Sequence, residues 1–413
     1  PQQLLVRAPK GGNKPTNLPH KTSLMDVKLA LPKEEHREQS DKLRIFTLPA
    51  SLVFTSPGLF RQNSTDARAA LAMIQDASDV LAILLDGGHS KIAGRLAGAF
   101  RNIGRDKITD EVIKTMKSAG YDVRENDPFE EQTPFVVGTR EPSPYVTRVK
   151  LMWHAMREEV INIFPKAPKK KTNIAAYIKH VKEIYVTDAY HSLSIEGYRV
   201  SAELIERVRS GAWNPDNNEK DHEQTNALAA RGYHEAFEVV TQSVRKVLDG
   251  QNAGEVADND HSTWYRELFA PSITAGILKA SDLAGYRNGP IYIRGSKHPP
   301  PSREAVRDMM PLLFELLREE ANPAVRIVLG HFVFVYIHPY IDGNGRIGRF
   351  LMNIMLASGG YPWTIIPVQK RDDYMQSLEA ASVHQNIKPF TEFLGNLVRD
   401  NIEGKPGPKV PVD

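Results

Sequence analysis

The chain has no cysteine among its 413 residues and carries little net charge. The missing thiols exclude disulfide bonds, thiolate catalysis and cysteine-ligated metal sites. Lysine and arginine nearly balance aspartate and glutamate, leaving a net charge of +3, so charge alone gives no reason to expect a nucleic-acid partner. Long apolar runs are also missing, because no stretch reaches bilayer-spanning length and the first residues lack the apolar core of a secretory signal. We therefore expect a cytoplasmic protein that does not enter a membrane.

A chain of this length is too long for one ordinary core, and its composition changes along its length. The predicted segments are a flexible polar tail at 1–40, an N-terminal helical module at 41–125, a linker rich in proline and acids at 126–150, a helical domain at 151–403 and a disordered tail at 404–413. The expected fold class is therefore mainly α, with a smaller, mostly helical N-terminal domain.

Basic side chains in the N-terminal module could contact phosphate if short helices there formed a helix-turn-helix. They are Arg95, Arg101, Arg105 and Lys107. Basic residues on a helix are more often a solvated face, so DNA binding is not expected. The module could instead select a target protein or form a homo-oligomer, and the sequence leaves that choice open.

The most informative stretch is His338–Arg349, which reads HPYIDGNGRIGR. The apolar run Val325–Ile337 before it is long enough for a buried helix. Pro339 cannot continue that helix and biases the preceding residue away from helical geometry. His338 is therefore predicted where a helix ends and a loop begins, and a histidine there can take a proton from an attacking hydroxyl near neutral pH.

The second half of the stretch has the properties of an anion site. Gly343 and Gly345 let a phosphate approach the backbone closely, and an amphipathic helix follows. Its N-terminus presents free N–H groups, and Arg346 and Arg349 add bidentate phosphate recognition. Asp342 is the carboxylate of the loop, and a carboxylate together with phosphate oxygens is the usual Mg²⁺ environment.

Each of these features is common alone, but their order and spacing are hard to explain by structure. The stretch resembles the signature of the Fic family, H-x-F-x-[D/E]-G-N-G-R-x-x-R, with Tyr340 at the phenylalanine position. Members of that family mostly transfer AMP from ATP to protein hydroxyls. The resemblance implies a multi-helix Fic domain with a short β-hairpin flap, ATP and Mg²⁺ as ligands, and a protein substrate presenting a Ser, Thr or Tyr hydroxyl, with the chain itself as one candidate substrate.

The resemblance also assigns roles within the site. His338 would be the catalytic base, and Asp342 would hold the metal. The implied nucleotide-binding residues are Gly343, Asn344, Gly345, Arg346 and Arg349, with Asn353 and Tyr374 as further candidates.

A second motif, Ser192-Leu-Ser-Ile-Glu196-Gly197, lies well before the first. Ser192 and Glu196 are four apart and share a helix face, and Gly197 is a natural helix end. The motif resembles the family's inhibitory sequence [S/T]-x-x-x-E-[G/N]. By that resemblance, a helix near 180–197 is inhibitory, and Glu196 pairs with Arg349 and occupies the arginine meant for the γ-phosphate.

A third element is an alternating apolar and polar run, predicted to be a strand that turns back at Gly295. Its residues are Ile291, Tyr292, Ile293 and Arg294. The resemblance makes it the flap that holds a target peptide by strand addition.

Rival readings stay open at this stage. A Fic-type loop could transfer another phosphate-containing group, or the site could remove AMP. From a different class, the chain could be a nucleotide-sensing regulatory or DNA-binding protein with a silent site.

Overall fold

The computed structural model describes residues 3–19, 22–40, 43–74, 77–129, 144–168, 173–211, 224–278, 286–287 and 289–411. The chain divides into two compact units, an N-terminal unit (Pro1–Leu151) and a C-terminal unit (Met152–Asp413). Helix accounts for 65% of the structure and strand for 7%, so the prediction of a mainly α fold is confirmed. Within the described ranges, no helix combines the length and apolarity needed to cross a bilayer.

The N-terminal unit opens with short strands. They are β1 (Gln3–Ala8), β2 (Pro15–Leu18), β3 (Thr22–Lys28), β4 (Arg37–Ser40) and β5 (Leu43–Phe46). β3 is central in one sheet, parallel to β1 and antiparallel to β2, and β4 pairs antiparallel with β5. The expectation of an unstructured tail at 1–40 is therefore wrong. These strands bury little, with Leu4 and Leu5 60% and 69% exposed, so they lack the alternating pattern by which a half-buried strand is recognised.

Helices make up the rest of the N-terminal unit. They are α1 (Leu48–Phe54), α2 (Pro57–Gln62), α3 (Ser64–Ala72), α4 (Ser78–Asp86), α5 (Ser90–Asn102) and α6 (Asp106–Ser118). Their apolar faces share one core that includes Phe60, Leu71 and Phe100. Pro49 lies in the first turn of α1, where a missing N–H costs no helical hydrogen bond.

The basic residues of this unit are largely engaged inside it. Arg95 donates to the carbonyl of Thr55 (3.1 Å), and Arg105 donates to that of Ala72 (2.8 Å). Arg101 forms ion pairs with three carboxylates, including Glu125 at 2.6 Å. These guanidinium groups therefore stabilise the helical fold.

The linker predicted at 126–150 is shorter than expected. Residues 130–143 lie outside the described ranges, and α7 (Pro144–Ile163) begins inside the predicted linker. Pro144 occupies the first position of that helix, where proline is well tolerated. The prolines that suggest a linker therefore include one that starts a helix.

The C-terminal unit contains the remaining helices. They are α8 (Ile174–Glu183), α9 (Tyr185–Ile195), α10 (Ala202–Arg209), α11 (Gln224–Leu248), α12 (Ala253–Thr274), α13 (Arg303–Glu319), α14 (Pro323–Ile337), α15 (Asn344–Ser358), α16 (Arg371–His384) and α17 (Lys388–Ile402). α15 packs against α11, α12 and α14 and also touches α9. This packing buries most of α15 and brings the end of α9 to its N-terminus.

The sequence predicts a disordered tail at 404–413, and its described part, which ends at residue 411, makes specific contacts. Its described residues have no helix or strand, but Lys405 pairs with Asp400 (2.7 Å) and Glu403 (2.9 Å). Residues 405–409 form part of the wall of a 520 Å³ cavity beside α8 and α17. Charge pairing therefore joins the start of this segment to the end of α17.

Candidate active site

The site is built where α14 ends and α15 begins. His338 is the C-cap of α14 and has left-handed backbone geometry, with φ +52° and ψ +61°. The left-handed conformation is unfavourable for a residue that has a Cβ, so surrounding contacts must hold His338 in it. Arg287 supplies them. Its Nε donates to the carbonyl of His338 (2.8 Å), and its backbone N–H donates to that of Pro339 (2.9 Å).

The His338 ring is arranged as a base. Nδ1 lies 3.3 Å from the carbonyl oxygen of Val335, which can only accept, so Nδ1 carries the proton and Nε2 keeps its lone pair. Burial lowers the pKa of His338 to about 4, and the nearby Arg287 charge acts in the same direction. The imidazole is therefore neutral at physiological pH, as proton acceptance requires.

Two hydrogen bonds of the Asn344 side-chain amide close the loop after His338. The Asn344 side chain accepts from the backbone N–H of Tyr340 (2.9 Å) and donates to the Tyr340 carbonyl (2.8 Å). Asn344 is only 2% exposed. Its side chain is therefore committed to the loop's own backbone, and the phosphate contact expected of Asn344 is left to its backbone N–H.

Tyr340, at the position where the family signature has phenylalanine, keeps an aromatic packing role. Its ring is buried and stacks on Tyr265, with centroids 3.9 Å apart and planes inclined by 6°. The substitution is therefore accommodated within the core beneath the loop.

The first N–H groups of α15 are not used by hydrogen bonds within the helix. Gly343 precedes it with φ +81°, and the first N–H bonded within the helix is that of Ile347, to the Gly343 carbonyl (2.9 Å). The N–H groups of residues 344–346 precede that bond and form the positive end of the helix dipole. Asp342, half-exposed beside them, accepts from Arg346 (3.2 Å).

Arg346 is held in place mainly by aromatic rings. Its guanidinium lies 5.1 Å from the ring centres of both Tyr198 and Phe269. The side chain is 1% exposed, and within the described part of the chain its Nε has no hydrogen-bond partner. A buried donor without an acceptor is costly, so an incoming phosphate oxygen would be a favourable partner.

The Arg349 side chain is hydrogen-bonded to residues at the end of α9. Its Nη2 donates to Glu196 Oε1 (2.7 Å) and to the Ser192 carbonyl (2.9 Å), while Nε donates to Ser192 Oγ (2.9 Å). Burial alone would lower the pKa of Arg349, but the Glu196 carboxylate outweighs it and the pKa is raised. The structure therefore brings together the three residues that the sequence predicts as an inhibitory pair and its support.

The Glu196 carboxylate lies directly over the start of α15. A Cβ added to Gly345 would come within 2.2 Å of Glu196 Oε1. Glu196 is the C-cap of α9, and Gly197 follows with φ +91°, the left-handed conformation predicted for it. A carboxylate thus occupies the end of a helix dipole where a phosphate would also be favoured.

Two residues predicted to contact the nucleotide have hydrogen bonds within the fold. Asn353 is 2% exposed and is bonded on both sides, donating to the Thr364 carbonyl (3.1 Å) and accepting from the Thr364 N–H (2.8 Å). The buried Tyr374 hydroxyl donates to Nε2 of His331 (2.7 Å), whose Nδ1 donates to the Gly348 carbonyl (2.8 Å). Both residues therefore support α15 from its core side. A polar residue near a binding motif can have this structural role as easily as a ligand contact.

The predicted flap strand is not paired. The described residues 289–302 contain no strand, although exposure alternates from Ile291 to Arg294 and Tyr292 is 85% exposed. The turn forms as predicted, with Ser296 N–H bonded to the Ile293 carbonyl (3.1 Å) and Gly295 at φ +79°. A strand needs a partner, and none pairs with this segment in the described chain.

Long-range supports of the site are absent from the sequence analysis. Arg287 anchors His338, and Glu379 accepts from Lys297 N–H (2.7 Å) to hold the turn segment. Arg371 donates to the carbonyl of Ile195 (2.8 Å) and so caps α9 just before Glu196. A Tyr-Arg pair before the predicted flap could have indicated Arg287. No local sequence pattern indicates Glu379 or Arg371.

His338 and the turn after it lie between two buried helices, α14 and α15. Residues 261–356 match the model of the Fic/DOC family, and this part of the chain is a Fic domain. Similar proteins include the protein adenylyltransferase Fic of Nematostella vectensis (28% identity over 228 residues, 54% of this chain and 49% of that one) and that of Drosophila grimshawi (28% over 233 residues, 55% and 44%). The chain thus spans less than half the length of these relatives.

Solved structures that resemble this one include residues 134–508 of Fic-1 from C. elegans, with a TM-score of 0.46 and 17% identity, covering 83% of this chain and 95% of that one. A Fic-domain signalling protein from Bacteroides thetaiotaomicron matches with a TM-score of 0.42 and 18% identity, covering 62% and 99%.

Proposed function

We propose that the chain is an autoinhibited protein adenylyltransferase, which moves AMP from ATP to a Ser, Thr or Tyr hydroxyl of a protein. The observation that carries the proposal is the neutral His338 beside a helix N-terminus at which Glu196 holds Arg349. The printed names of the relatives, which are protein adenylyltransferases, support the same reaction.

In the proposed reaction, the backbone N–H groups at the start of α15 bind the α-phosphate of ATP. Arg346 binds the β-phosphate, and Arg349 binds the γ-phosphate after Glu196 has left it. The target hydroxyl gives its proton to Nε2 of His338 while its oxygen forms a bond to the α-phosphorus. The bond from that phosphorus to the bridging oxygen breaks, and pyrophosphate leaves. Positioning and charge stabilisation supply most of the acceleration.

The Asp342 carboxylate fits the magnesium expected with ATP. Its side chain is 59% exposed, and its two oxygens accept one bond each, from Gly343 N–H (2.6 Å) and from Arg346, which leaves lone pairs open. Mg²⁺ is commonly held by one or two carboxylates together with substrate phosphates. Bound there, it would neutralise charge on the phosphates as pyrophosphate departs.

The resting state is proposed to be inhibited. Because Glu196 Oε1 lies against Gly345 and accepts from Arg349, a γ-phosphate reaching the same arginine would meet a carboxylate of like charge. Residues 291–294, with Tyr292 facing solvent, are proposed to hold the target peptide by strand addition.

Glu196→Gly tests the proposal. Incubated with ATP labelled at the α-phosphate, this variant should label target proteins or itself strongly, whereas the unchanged chain should label weakly. The matched control is Glu183→Gly, which removes an exposed glutamate at the end of α8 and should leave labelling at the basal level. His338→Ala placed in the Glu196→Gly chain should abolish transfer while ATP still binds.

Intact mass of the labelled product decides between the rival reactions. A gain of one AMP unit supports adenylyl transfer, whereas a gain of phosphate would assign the loop to another transfer. Loss of AMP from a premodified protein, without gain on any target, would assign removal instead. Equal labelling by the unchanged chain and Glu196→Gly would sink the inhibitory role.

A further inference from the structure

A second carboxylate of α9 lies buried one helical turn before Ser192. Asp188 is 5% exposed, and it accepts from Nε1 of Trp363 (3.0 Å) and from the hydroxyl of Tyr233 (2.6 Å). Burial raises the pKa of Asp188, while its two donors and the charge of Arg349 act in the opposite direction. In the described chain no ion pair joins Asp188 to a lysine or arginine, and a buried carboxylate without one is costly.

Two hydroxyl groups, those of Ser192 and Tyr233, form the polar surroundings shared by Arg349 and this carboxylate. Nε of Arg349 donates to Ser192 Oγ (2.9 Å). The nearby Ser192 hydroxyl acts to lower the pKa of Tyr233, against the larger effect of burial. Tyr233 donates to Asp188. The Arg349 charge acts to lower the pKa of both Asp188 and Tyr233, so the guanidinium and the carboxylate share one electrostatic environment.

We propose that Asp188 is a positioning residue that acts as a second counter-charge for Arg349. The inference rests on the proposed function, in which Glu196 leaves Arg349 so that a γ-phosphate can bind. A buried guanidinium that loses its carboxylate carries an uncompensated charge. Asp188, fixed by Tyr233 and Trp363, stays behind and compensates it.

In this arrangement, three anionic groups compete to interact with the positively charged guanidinium of Arg349. They are Glu196, a γ-phosphate and Asp188. Removing the Asp188 charge should strengthen whichever of the other two is present. In the otherwise unchanged chain, Asp188→Asn should therefore tighten the Glu196 contact and lower basal transfer. In the Glu196→Gly chain, the same change should instead tighten ATP binding. A side chain with a purely structural role would weaken function in both backgrounds.

Nucleotide titration calorimetry measures the second effect. In the Glu196→Gly chain, Asp188→Asn should lower the Kd for ATP by about three- to tenfold and leave the Kd for ADP, which lacks the γ-phosphate, unchanged. Tyr233→Phe, which removes one of the two hydroxyl groups but keeps the ring, should shift the ATP-to-ADP ratio in the same direction. It also serves as the second variant if Asp188→Asn fails to fold.

The matched control is Asp260→Asn. Asp260 is a largely buried carboxylate of α12 that accepts from Ser243 (2.7 Å) and Lys246 (2.8 Å) and has no hydrogen-bonded route to Arg349 in the described chain. Its substitution should leave the ATP-to-ADP ratio unchanged.

A thermal arm tests the counter-charge without nucleotide. Glu196→Gln and Asp188→Asn each leave Arg349 with one carboxylate, whereas the double variant leaves it with none. The double variant should lose more stability than the two single losses added together. Additive losses, or ATP and ADP affinities that fall together, would overturn the proposal. Coupled losses in a protein that binds no ATP would support the counter-charge and overturn the proposed function.

Discussion

At the scale of single residues, the buried imidazole of His338 fixes how the reaction should depend on pH. Its pKa is lowered to about 4 because burial disfavours the charged ring. The neutral, proton-accepting form therefore prevails above that pH and is lost as pH falls through it. An ordinary exposed histidine would lose it near pH 6.5.

We therefore expect kcat/KM of the Glu196→Gly variant to show no acid limb between about pH 6 and 8 and to fall towards pH 4. Initial rates of AMP transfer measure it, with circular dichroism at each pH as the control for folding. An acid limb near 6.5 in folded protein would show that His338 is solvated or is not the base.

At the scale of secondary-structure elements, the close approach of α9 to α15 is possible because Gly345 has no side chain. Gly345→Ala would place a methyl group 2.2 Å from Glu196 Oε1 and 3.1 Å from Nη1 of Arg349. Because carboxylate and phosphate are proposed to claim the same space, the methyl group should displace Glu196 and also obstruct ATP. We expect at least tenfold weaker ATP binding in the Glu196→Gly chain, and no release of activity when Glu196 is intact.

Calorimetric titration of ATP measures this effect, and Gly58→Ala is the matched control. Gly58 is also near the start of a helix, α2, but an added Cβ there meets nothing closer than 3.8 Å. Gly345→Ala should itself fold, since alanine favours helix over glycine. Strong labelling by Gly345→Ala with unchanged ATP affinity would mean that only the glutamate needs that space.

The same elements explain what the sequence could and could not predict. The His338–Arg349 loop and the Ser192–Glu196 motif are predictable because their chemistry is local and dense. Asp188 and Trp363 meet across 175 positions, and no local pattern announces such a contact. The N-terminal strands could not be predicted because they bury little apolar surface. The hydrogen bonds of Asn344 and Asn353 could not be predicted because an amide near the motif can bind a ligand or the backbone equally well.

At the scale of the whole molecule, the second half of α7 belongs with the C-terminal unit. Arg157 donates to Glu320 from Nε (2.8 Å) and Nη2 (3.0 Å), and the Glu320 side chain is only 6% exposed. Burial would raise the pKa of Glu320, but the bonds from Arg157 and from Asn322 N–H outweigh it, so the pKa lies below its usual range. The pair therefore stabilises the folded state at neutral pH, and this contribution is lost as pH falls through the lowered pKa.

Arg157→Met should therefore cost about 2–3 kcal/mol of unfolding free energy at pH 7, because it leaves a buried carboxylate without its cation. Denaturant unfolding at pH 7 and again near pH 3 measures the loss, which should shrink at the lower pH where Glu320 is protonated. Arg231→Met, which breaks an exposed pair with Glu235, should cost under about 0.5 kcal/mol at both pH values. Equal losses for the two variants would mean that α7 is held to the C-terminal unit by packing alone, and that its removal would not expose an unpaired charge.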